Sequence, residues 1–444
     1  MRVSLRNSSV VAALLILSFS VPLYAGPPSF HGSISNRYKF RSTGSLRDQD
    51  VETLVTLDIG NAYADRVWGA LQVGGIFDLD GNQGGNTFAS VYDSFSDRAV
   101  GRLYYAHVDA KDLGPLSHLT VGRQSRFDFE SLYYDGLTLQ SKRWHGFSLT
   151  AFGGAPVHLF ENQIGFDVGD WLVGGALQWN PISNLQARFD YVHLKDEVAG
   201  FRASVGDQED DLFGGTIWWD IDQHFALMGR FTSFSDQVRD VSLSATYKLA
   251  SHDLFVRLNA FRLLKGYAIR VVEFDAYGIA GTYEPYTDVS LTATKGFGQH
   301  FAMDGGVQVR FLDDNQIASA FNHGFERFFL SLSTYDLLLK GLSLSATGDY
   351  YHGEDNVLKN NNFGGSFTVT QDLLEKRLQL SGGTAFYLYR YNLFAGNESN
   401  NVQTYFARVK GKIMKDLEAR VGYEFEHNPV NGFHSVDARL IWSF

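Results

Sequence analysis

The chain contains no cysteine among its 444 residues. This absence excludes structural disulfides, thiolate zinc sites, iron–sulfur clusters and covalently attached c-type haem. The 13 histidines show no His-Glu-x-x-His pairing or other metal-ligand spacing, and no Ser, His and acid spacing marks a nucleophile. We therefore expect no metal, no cofactor and no enzymatic activity, with a barrel lipase or protease left open as an alternative.

A surplus of positive charge and a long apolar run are also missing. The net charge is −11, which argues against a nucleic-acid partner, because a nucleic-acid binder carries a basic stripe. After residue 25 no apolar run reaches eighteen residues, roughly the length that a membrane-spanning helix needs. A membrane protein built from this chain would therefore be a closed β-barrel, since only closure pairs every strand edge in lipid.

The first 25 residues have the order of a secretory signal peptide. Arg2 and Arg6 precede an apolar run from Val10 to Phe19, which is followed by the small residue Ala25. This order predicts export and cleavage before Gly26. We expect residues 1–25 to be the signal peptide and residues 26–444 to form one transmembrane β-barrel.

Aromatic residues and glycine are abundant, with 22 Tyr, 36 Phe and 45 Gly. From Phe30 onward, segments of roughly ten residues alternate between apolar and polar positions and are separated by Gly, Asn, Asp and Pro clusters. Residues 241–249 and 417–425 are clear examples. A large secreted β-sandwich or propeller is the alternative, but many alternating segments in series favour a barrel.

Connection lengths predict the topology. Short connections, such as 180–184, 220–223, 250–253 and 412–416, are expected to be periplasmic turns, whereas long polar ones should face outward. The predicted outer loops are 80–97, 155–170, 196–211, 312–324 and 391–401. The predicted fold class is all-β, an antiparallel transmembrane β-barrel of about 22 strands (range roughly 20 to 24) without a plug domain. The range reflects residues 265–288, which form either one long loop or a further hairpin.

Charged residues of both signs occupy the alternating positions that should face the lumen. They are Arg188, Asp190, Arg230, Lys248, Arg257, Asp304, Arg310, Arg327, Asp349, Arg408, Lys410, Glu418, Arg420, Glu424, Asp437 and Arg439. We interpret them either as a polar channel wall or as a docking surface for a folded partner. For any one of them, the plainer interpretation is that every water-filled lumen needs polar side chains.

Two features stand apart from this alternation. Arg123 falls at a lipid-facing position, so either the strand ends before it or a bulge shifts the register. The acidic group formed by Asp207, Glu209, Asp210 and Asp211 is either a divalent-cation site or a solvated outer loop.

Aromatic residues near strand ends are expected to form interfacial girdles. They are Trp179, Trp218, Trp219, Tyr350 and Trp442.

The last segment carries the most specific resemblance. Val436, Ala438, Leu440, Trp442 and Phe444 share one face of the final strand, which ends on an aromatic residue. In this feature and in its alternation, the chain resembles Gram-negative outer-membrane porins over its mature length. The resemblance implies residence in outer-membrane lipid, with Trp442 and Phe444 read by the barrel-assembly machinery.

A looser resemblance concerns function. Residues 119–124 and 152–157 are similar to segments of barrels that accompany multihaem cytochromes in metal-reducing bacteria. This likeness implies a wide barrel sheathing a multihaem c-type cytochrome that conducts electrons across the outer membrane. About 22 strands give an unplugged lumen roughly 40 Å across, which motivates the same hypothesis. The alternative is a free-standing diffusion porin for small hydrophilic solutes, motivated by the polar lumen wall.

Overall fold

A computed structural model describes twelve stretches of the chain: residues 29–62, 64–81, 98–127, 131–157, 170–196, 208–234, 237–264, 285–313, 324–353, 361–389, 400–429 and 431–444. These residues form one antiparallel sheet of 22 strands.

The strands are 10 to 15 residues long and follow one another along the chain. Their bounds are β1 (Phe30–Thr43), β2 (Leu46–Ile59), β3 (Val67–Asp78), β4 (Ala99–Leu113), β5 (Leu116–Phe127), β6 (Ser131–Ser141), β7 (Phe147–Pro156), β8 (Trp171–Ile182), β9 (Leu185–Asp196), β10 (Gln208–Asp220), β11 (Phe225–Phe234), β12 (Gln237–Leu249), β13 (Leu254–Leu263), β14 (Tyr286–Phe297), β15 (Phe301–Leu312), β16 (Phe325–Tyr335), β17 (Leu342–Gly353), β18 (Asn361–Leu373), β19 (Leu378–Tyr389), β20 (Asn400–Met414), β21 (Leu417–His427) and β22 (Gly432–Ser443).

The sheet is closed, because β1 pairs both with β2 and with β22. The predicted fold class and the count of about 22 strands are confirmed. Strands β13 and β14 pair directly, from Leu254 opposite Lys295 to Leu263 opposite Tyr286. No further hairpin is therefore inserted in the barrel wall between them, although residues 265–284 themselves lie outside the described residues.

Helical structure is confined, in the described stretches, to the short 3₁₀ turn at Ala250–His252. Within the same stretches no separate plug domain is evident. None of the helical residues there forms a helix of sufficient length and apolar character to cross a membrane.

The two ends of the barrel differ in the length of their connections. At the end where β1 begins and β22 ends, the connections are short. The shortest there include 114–115, and the longest is 60–66. The opposite end has all the connections longer than seven residues, such as 79–98 and 264–285, together with a few short ones such as 44–45. Short periplasmic turns and long outer loops are typical of outer-membrane barrels, so the end at which β1 begins and β22 ends is periplasmic.

Most residues of the predicted outer loops lie outside the described residues. The ends of two loops are corrected, because β10 begins at Gln208 and β20 at Asn400. The loops predicted for 196–211 and 391–401 therefore end earlier than expected.

Alternation gives the sheet a lipid-facing and a lumen-facing surface. On β15, Phe301, Met303 and Phe311 are 44%, 36% and 52% exposed, and Asp304 and Arg310 occupy the opposite face. Large exposed apolar side chains recur at the corresponding positions of other strands. Water would disfavour such a surface, whereas lipid accommodates it. The outer surface is therefore the one that contacts the membrane.

Aromatic residues mark both rims of that outer surface. Trp179, Trp219 and Trp442 are exposed near the periplasmic strand ends, and Tyr350 is exposed near the outer end of β17. Trp218 is the exception, because it lies opposite Gln186 and Met228 on the lumen-facing side.

The closing seam between β1 and β22 is held on both faces. The Gly32 amide donates to the Phe444 carbonyl at 2.9 Å, and the Phe444 amide donates to the Gly32 carbonyl at 3.0 Å. On the outer face, the Phe444 ring lies so close to Gly32 that an added Cβ would be 2.7 Å from its Cζ atom. On the inner face, Arg37 Nε donates to Asp437 Oδ2 at 2.6 Å. The seam thus depends on a residue without a side chain at position 32.

Arg123 is explained by a buried ion pair. Strand β5 continues past it to Phe127, but the pairing of β5 with β4 ends at Arg123, and β4 is bulged where it faces Gln72 and Val73. Arg123 Nε and Nη2 donate to Asp135 at 2.8 and 2.6 Å, and Nη1 donates to the Leu103 carbonyl at 2.9 Å. Its side chain is only 3% exposed. The bulge is therefore on the neighbouring strand, and all three guanidinium nitrogens donate a hydrogen bond.

Replacing Gly32 with Val should displace the Phe444 ring and also press on the Thr56 carbonyl of β2, so it should weaken the pairing of β1 on both sides, including the closing seam. Overpacking of this kind costs about 1 to 3 kcal/mol. The heat-modifiable shift of the folded barrel on an SDS gel should occur at a lower temperature than in the wild type. Gly229→Val is the matched control, because an added Cβ there meets nothing within 4 Å. An equal loss in both variants would contradict the proposed role of the seam.

Replacing Arg123 with Leu should leave the Asp135 carboxylate buried without its partner. Breaking a buried ion pair costs about 3 to 5 kcal/mol, measurable by urea unfolding in detergent micelles. The double variant Arg123→Leu, Asp135→Leu should be more stable than the single one, since neither charge remains. Arg262→Leu is the control, because Arg262 and Asp313 form an exposed pair, worth about 0 to 1 kcal/mol.

Candidate functional site: the lumen wall

The structure places all the predicted lumen residues on the surface opposite to the lipid-exposed side chains of their strands. They are spread around the wall. Arg188 and Asp190 lie on β9, Arg230 on β11, Lys248 on β12, Arg257 on β13, Asp304 and Arg310 on β15, Arg327 on β16, Asp349 on β17, Arg408 and Lys410 on β20, Glu418, Arg420 and Glu424 on β21, and Asp437 and Arg439 on β22.

Many of these charges pair within the wall. Arg327 Nε donates to Asp349 Oδ2 at 2.9 Å, across the β16–β17 pairing. Arg310 Nη2 lies 3.0 Å from Asp288 on β14. Arg188 pairs with Asp190 along its own strand, at 2.7 Å. Since neighbouring strands supply each other's counter-charges, the wall is largely self-compensated.

The strands at the end of the chain form the most charged part of the wall. A cavity of about 630 Å³ is lined by Arg37, Arg408, Lys410, Arg420, Glu424 and Asp437, among others. The Arg408 side chain is 61% exposed. Glu418 accepts from Arg420 Nε at 2.6 Å and lies 3.5 Å from Lys410 Nζ. Exposed pairs contribute little stability, and the Arg408 and Arg420 side chains remain accessible from the lumen.

Sequence reasoning missed a second run of charge, on β1 and β2. The basic residues Arg37, Lys39 and Arg41 lie directly opposite Glu52, Asp50 and Asp48. Lys39 contacts Glu52, and Arg41 Nε donates to Asp48 at 2.6 Å. A signal was present, because three cations at every second position precede three acids with the same spacing. The polar residue Asn36 on the lipid-facing side obscured the alternation of β1.

A second cavity, of about 560 Å³, lies on the lumen side of β2 to β6. Asp109 is buried in its wall and is bound by three side chains. Trp68 Nε1 donates at 3.1 Å, Thr120 Oγ1 donates at 2.7 Å, and His118 Nδ1 lies 3.1 Å away. These residues come from three strands, so no local spacing in the sequence could have identified the group.

An apolar cluster occupies part of the lumen-facing surface, near the outer ends of β6 to β10. Its members are 0 to 6% exposed, and they are Leu132, Tyr134, Phe152, Leu172, Val192, Leu194 and Leu212. The expectation of a polar lumen face is therefore wrong for this region. Side chains facing open water would be exposed, so this part of the inner wall is closed to water.

Three of the four acidic residues predicted at 207–211 lie in a strand and not in a solvated loop. Glu209, Asp210 and Asp211 belong to β10, where alternation puts Asp210 and Asp211 on opposite faces. Asp211 accepts from the Tyr191 hydroxyl at 2.7 Å and lies 2.9 Å from His193 Nδ1. Asp207 lies outside the described residues. Among the described side chains, no group of three or more His, Cys, Asp or Glu is arranged to hold a metal ion.

Comparison with protein-family models and with curated proteins found no match. Among solved structures, the chain is similar to OpdK of Pseudomonas aeruginosa, crystallised with vanillate, at 11% identity and a TM-score of 0.48 over 94% of this chain and 98% of that one. For OccAB3 of Acinetobacter baumannii the values are 12%, 0.46, 94% and 99%. For a BenF-like porin from Pseudomonas fluorescens Pf-5 they are 11%, 0.46, 95% and 99%.

These identities and TM-scores are low, and they give no information on solute or partner. The closed 22-stranded sheet, its apolar surface toward lipid and its charged lumen wall are the features expected of a Gram-negative porin. The chain is an outer-membrane β-barrel channel protein.

Proposed function

We propose that this barrel is a free-standing diffusion porin for small hydrophilic solutes. The observation that supports this proposal is the pairing of lumen charges within the wall itself, as between Arg327 and Asp349 or Arg310 and Asp288. A channel wall needs polar side chains that stay hydrated and hold passing solutes weakly. The Arg327–Asp349 pair, with side chains 43% and 28% exposed, meets this requirement.

A sheath for a cytochrome would place different demands on the same wall. Docking a folded protein removes water from the wall charges, and the partner then has to supply new counter-charges for them. Here several of the acids that could receive a partner's cations, such as Asp288, Asp349 and Asp437, already hold arginines of the wall. The self-compensated wall therefore favours the porin over the sheath.

Residues 119–124 and 152–157, which resemble segments of cytochrome-associated barrels, lie on the two strands that flank β6. Gly122 and Gly154 both lie opposite Gly136, forming a row across β5, β6 and β7. A Cβ at Gly154 would meet the Asp135 carbonyl, next to the Arg123–Asp135 pair. The close packing of these segments around a buried ion pair accounts for their glycines without a partner.

The apolar cluster on β6 to β10 removes the main objection to a porin. A fully open lumen of roughly 40 Å would leak metabolites. Because part of the inner wall is closed to water, the water-filled cross-section is smaller than the backbone cylinder.

Reconstitution of the purified barrel in planar bilayers should give steady, ohmic conductance in KCl. Neutral polymers of increasing size, added as pore fillers, should reveal a cutoff narrower than a 40 Å cylinder. A silent or only transiently leaky barrel would contradict the proposal. Recovery of a stoichiometric haem-staining protein from native membranes in mild detergent would favour the sheath instead.

Replacing Arg408, Lys410 and Arg420 together with Gln should shift the channel's selectivity toward cations. The three side chains are 61%, 44% and 46% exposed to the lumen, and removing their charge lowers the local concentration of anions. The reversal potential in a KCl gradient measures the shift, which should shrink at high salt. Arg262→Gln is the control, because Arg262 is on the lipid-facing side of β13. An unchanged reversal potential in the triple variant would show that these charges do not line the conducting path.

A further inference from the structure

We infer that the 560 Å³ cavity on β2 to β6 is a binding subsite for small organic cations, such as quaternary ammonium compounds. The inference deepens the proposed porin function and rests on it, because the ligand reaches this cavity through the open lumen. It depends on an unpaired carboxylate and on an aromatic wall that face the same space.

The carboxylate belongs to Asp58. It lies on β2, on the lumen side, and lines the cavity. Within the described part of the chain, Asp58 makes no side-chain hydrogen bond or ion pair, whereas Asp288, Asp349 and Asp437 each hold an arginine. A carboxylate that faces a cavity without a counter-charge attracts cations from the lumen.

The aromatic wall is formed by Trp68 and Tyr105, with His107 between them. The Trp68 and His107 rings meet edge to face, with centroids 5.3 Å apart, and the Tyr105 and His107 centroids are 5.9 Å apart. The faces of Trp and Tyr rings attract cations, most strongly those with a loosely held hydration shell. A carboxylate beside such rings favours organic cations over strongly hydrated metal ions.

Asp109 fixes this arrangement before any ligand arrives. It is 5% exposed, and its two oxygens are occupied by Trp68, His118 and Thr120. The hydrogen bond from Trp68 Nε1 holds the indole in place, so little ordering is needed on binding. Asp109 is thus a positioning residue, and Asp58 is the carboxylate left for the ligand.

The rest of the cavity limits the class of ligand. Arg126 lines its other end, with its guanidinium 4.6 Å from the Phe152 ring centroid. The positive charge of the ligand is therefore directed to the Asp58 end. A volume of 560 Å³ is in the range of pockets that accept solutes of several heavy atoms.

Isothermal titration of the detergent-solubilised barrel with choline tests the inference. Choline should bind the wild type, and its neutral isostere 3,3-dimethylbutan-1-ol should bind at least about tenfold more weakly, because it lacks the charge. Asp58→Asn should weaken choline binding by about tenfold. Asp304→Asn is the matched control. This substitution removes another lumen carboxylate, on β15, which accepts a hydrogen bond from Thr294 and lies outside this cavity. The Asp304→Asn variant should bind choline as the wild type does.

A second pair of variants tests the aromatic wall. Tyr105→Phe keeps the ring face and should bind choline as the wild type does, whereas Tyr105→Leu should weaken binding several-fold. Equal binding of choline and its isostere, or an Asp58→Asn variant that binds as tightly as the wild type, would overturn the inference.

The binding measurement is separate from conduction. A barrel that conducts KCl but binds no choline would refute the subsite and leave the porin standing. A barrel that binds choline through Asp58 but does not conduct would refute the porin and support the subsite.

Discussion

In lipid, the backbone N–H and C=O groups of a sheet edge have no water to bind, so the protein itself has to pair them. Here the two edges are β1 and β22, and their pairing turns a 22-stranded sheet into a closed wall. The constraint explains the terminal residue as well as the fold. The Phe444 backbone completes the last hydrogen-bonded pair with Gly32, and its ring covers the space that the glycine leaves.

The architecture could be predicted from the sequence because the information is local. A period of two decides which side chains face lipid, and the length of each connection decides at which end it lies. Both signals are visible within about ten residues of chain. The positions of Arg327, Asp349, Arg408 and Glu424 on one side of the wall follow directly from them.

The side-chain groups of the lumen wall could not be predicted, because they depend on which residues of neighbouring strands lie at the same level along the barrel axis. Trp68, Asp109 and His118 meet across β3, β4 and β5, and their separation in the sequence has no regular spacing. The apolar cluster from Leu132 to Leu212 likewise breaks the polar pattern of the inner wall over five adjacent strands. Arg123 was recognised as irregular, but its explanation lay in the bulge of β4 and in Asp135 on β6.

Arg37 connects three strands, since it contacts Glu52 on β2 and Asp437 on β22. The bond to Asp437 joins residues 400 positions apart, so it cannot form until the chain as far as Asp437 has reached the membrane. Until then, Arg37 lies on the free edge of the β1–β2 hairpin with Glu52 as its carboxylate partner. Its second carboxylate partner, Asp437, comes only with β22. The Arg37–Asp437 pair therefore favours the observed register of β22 against β1 over a register shifted by one residue in either direction.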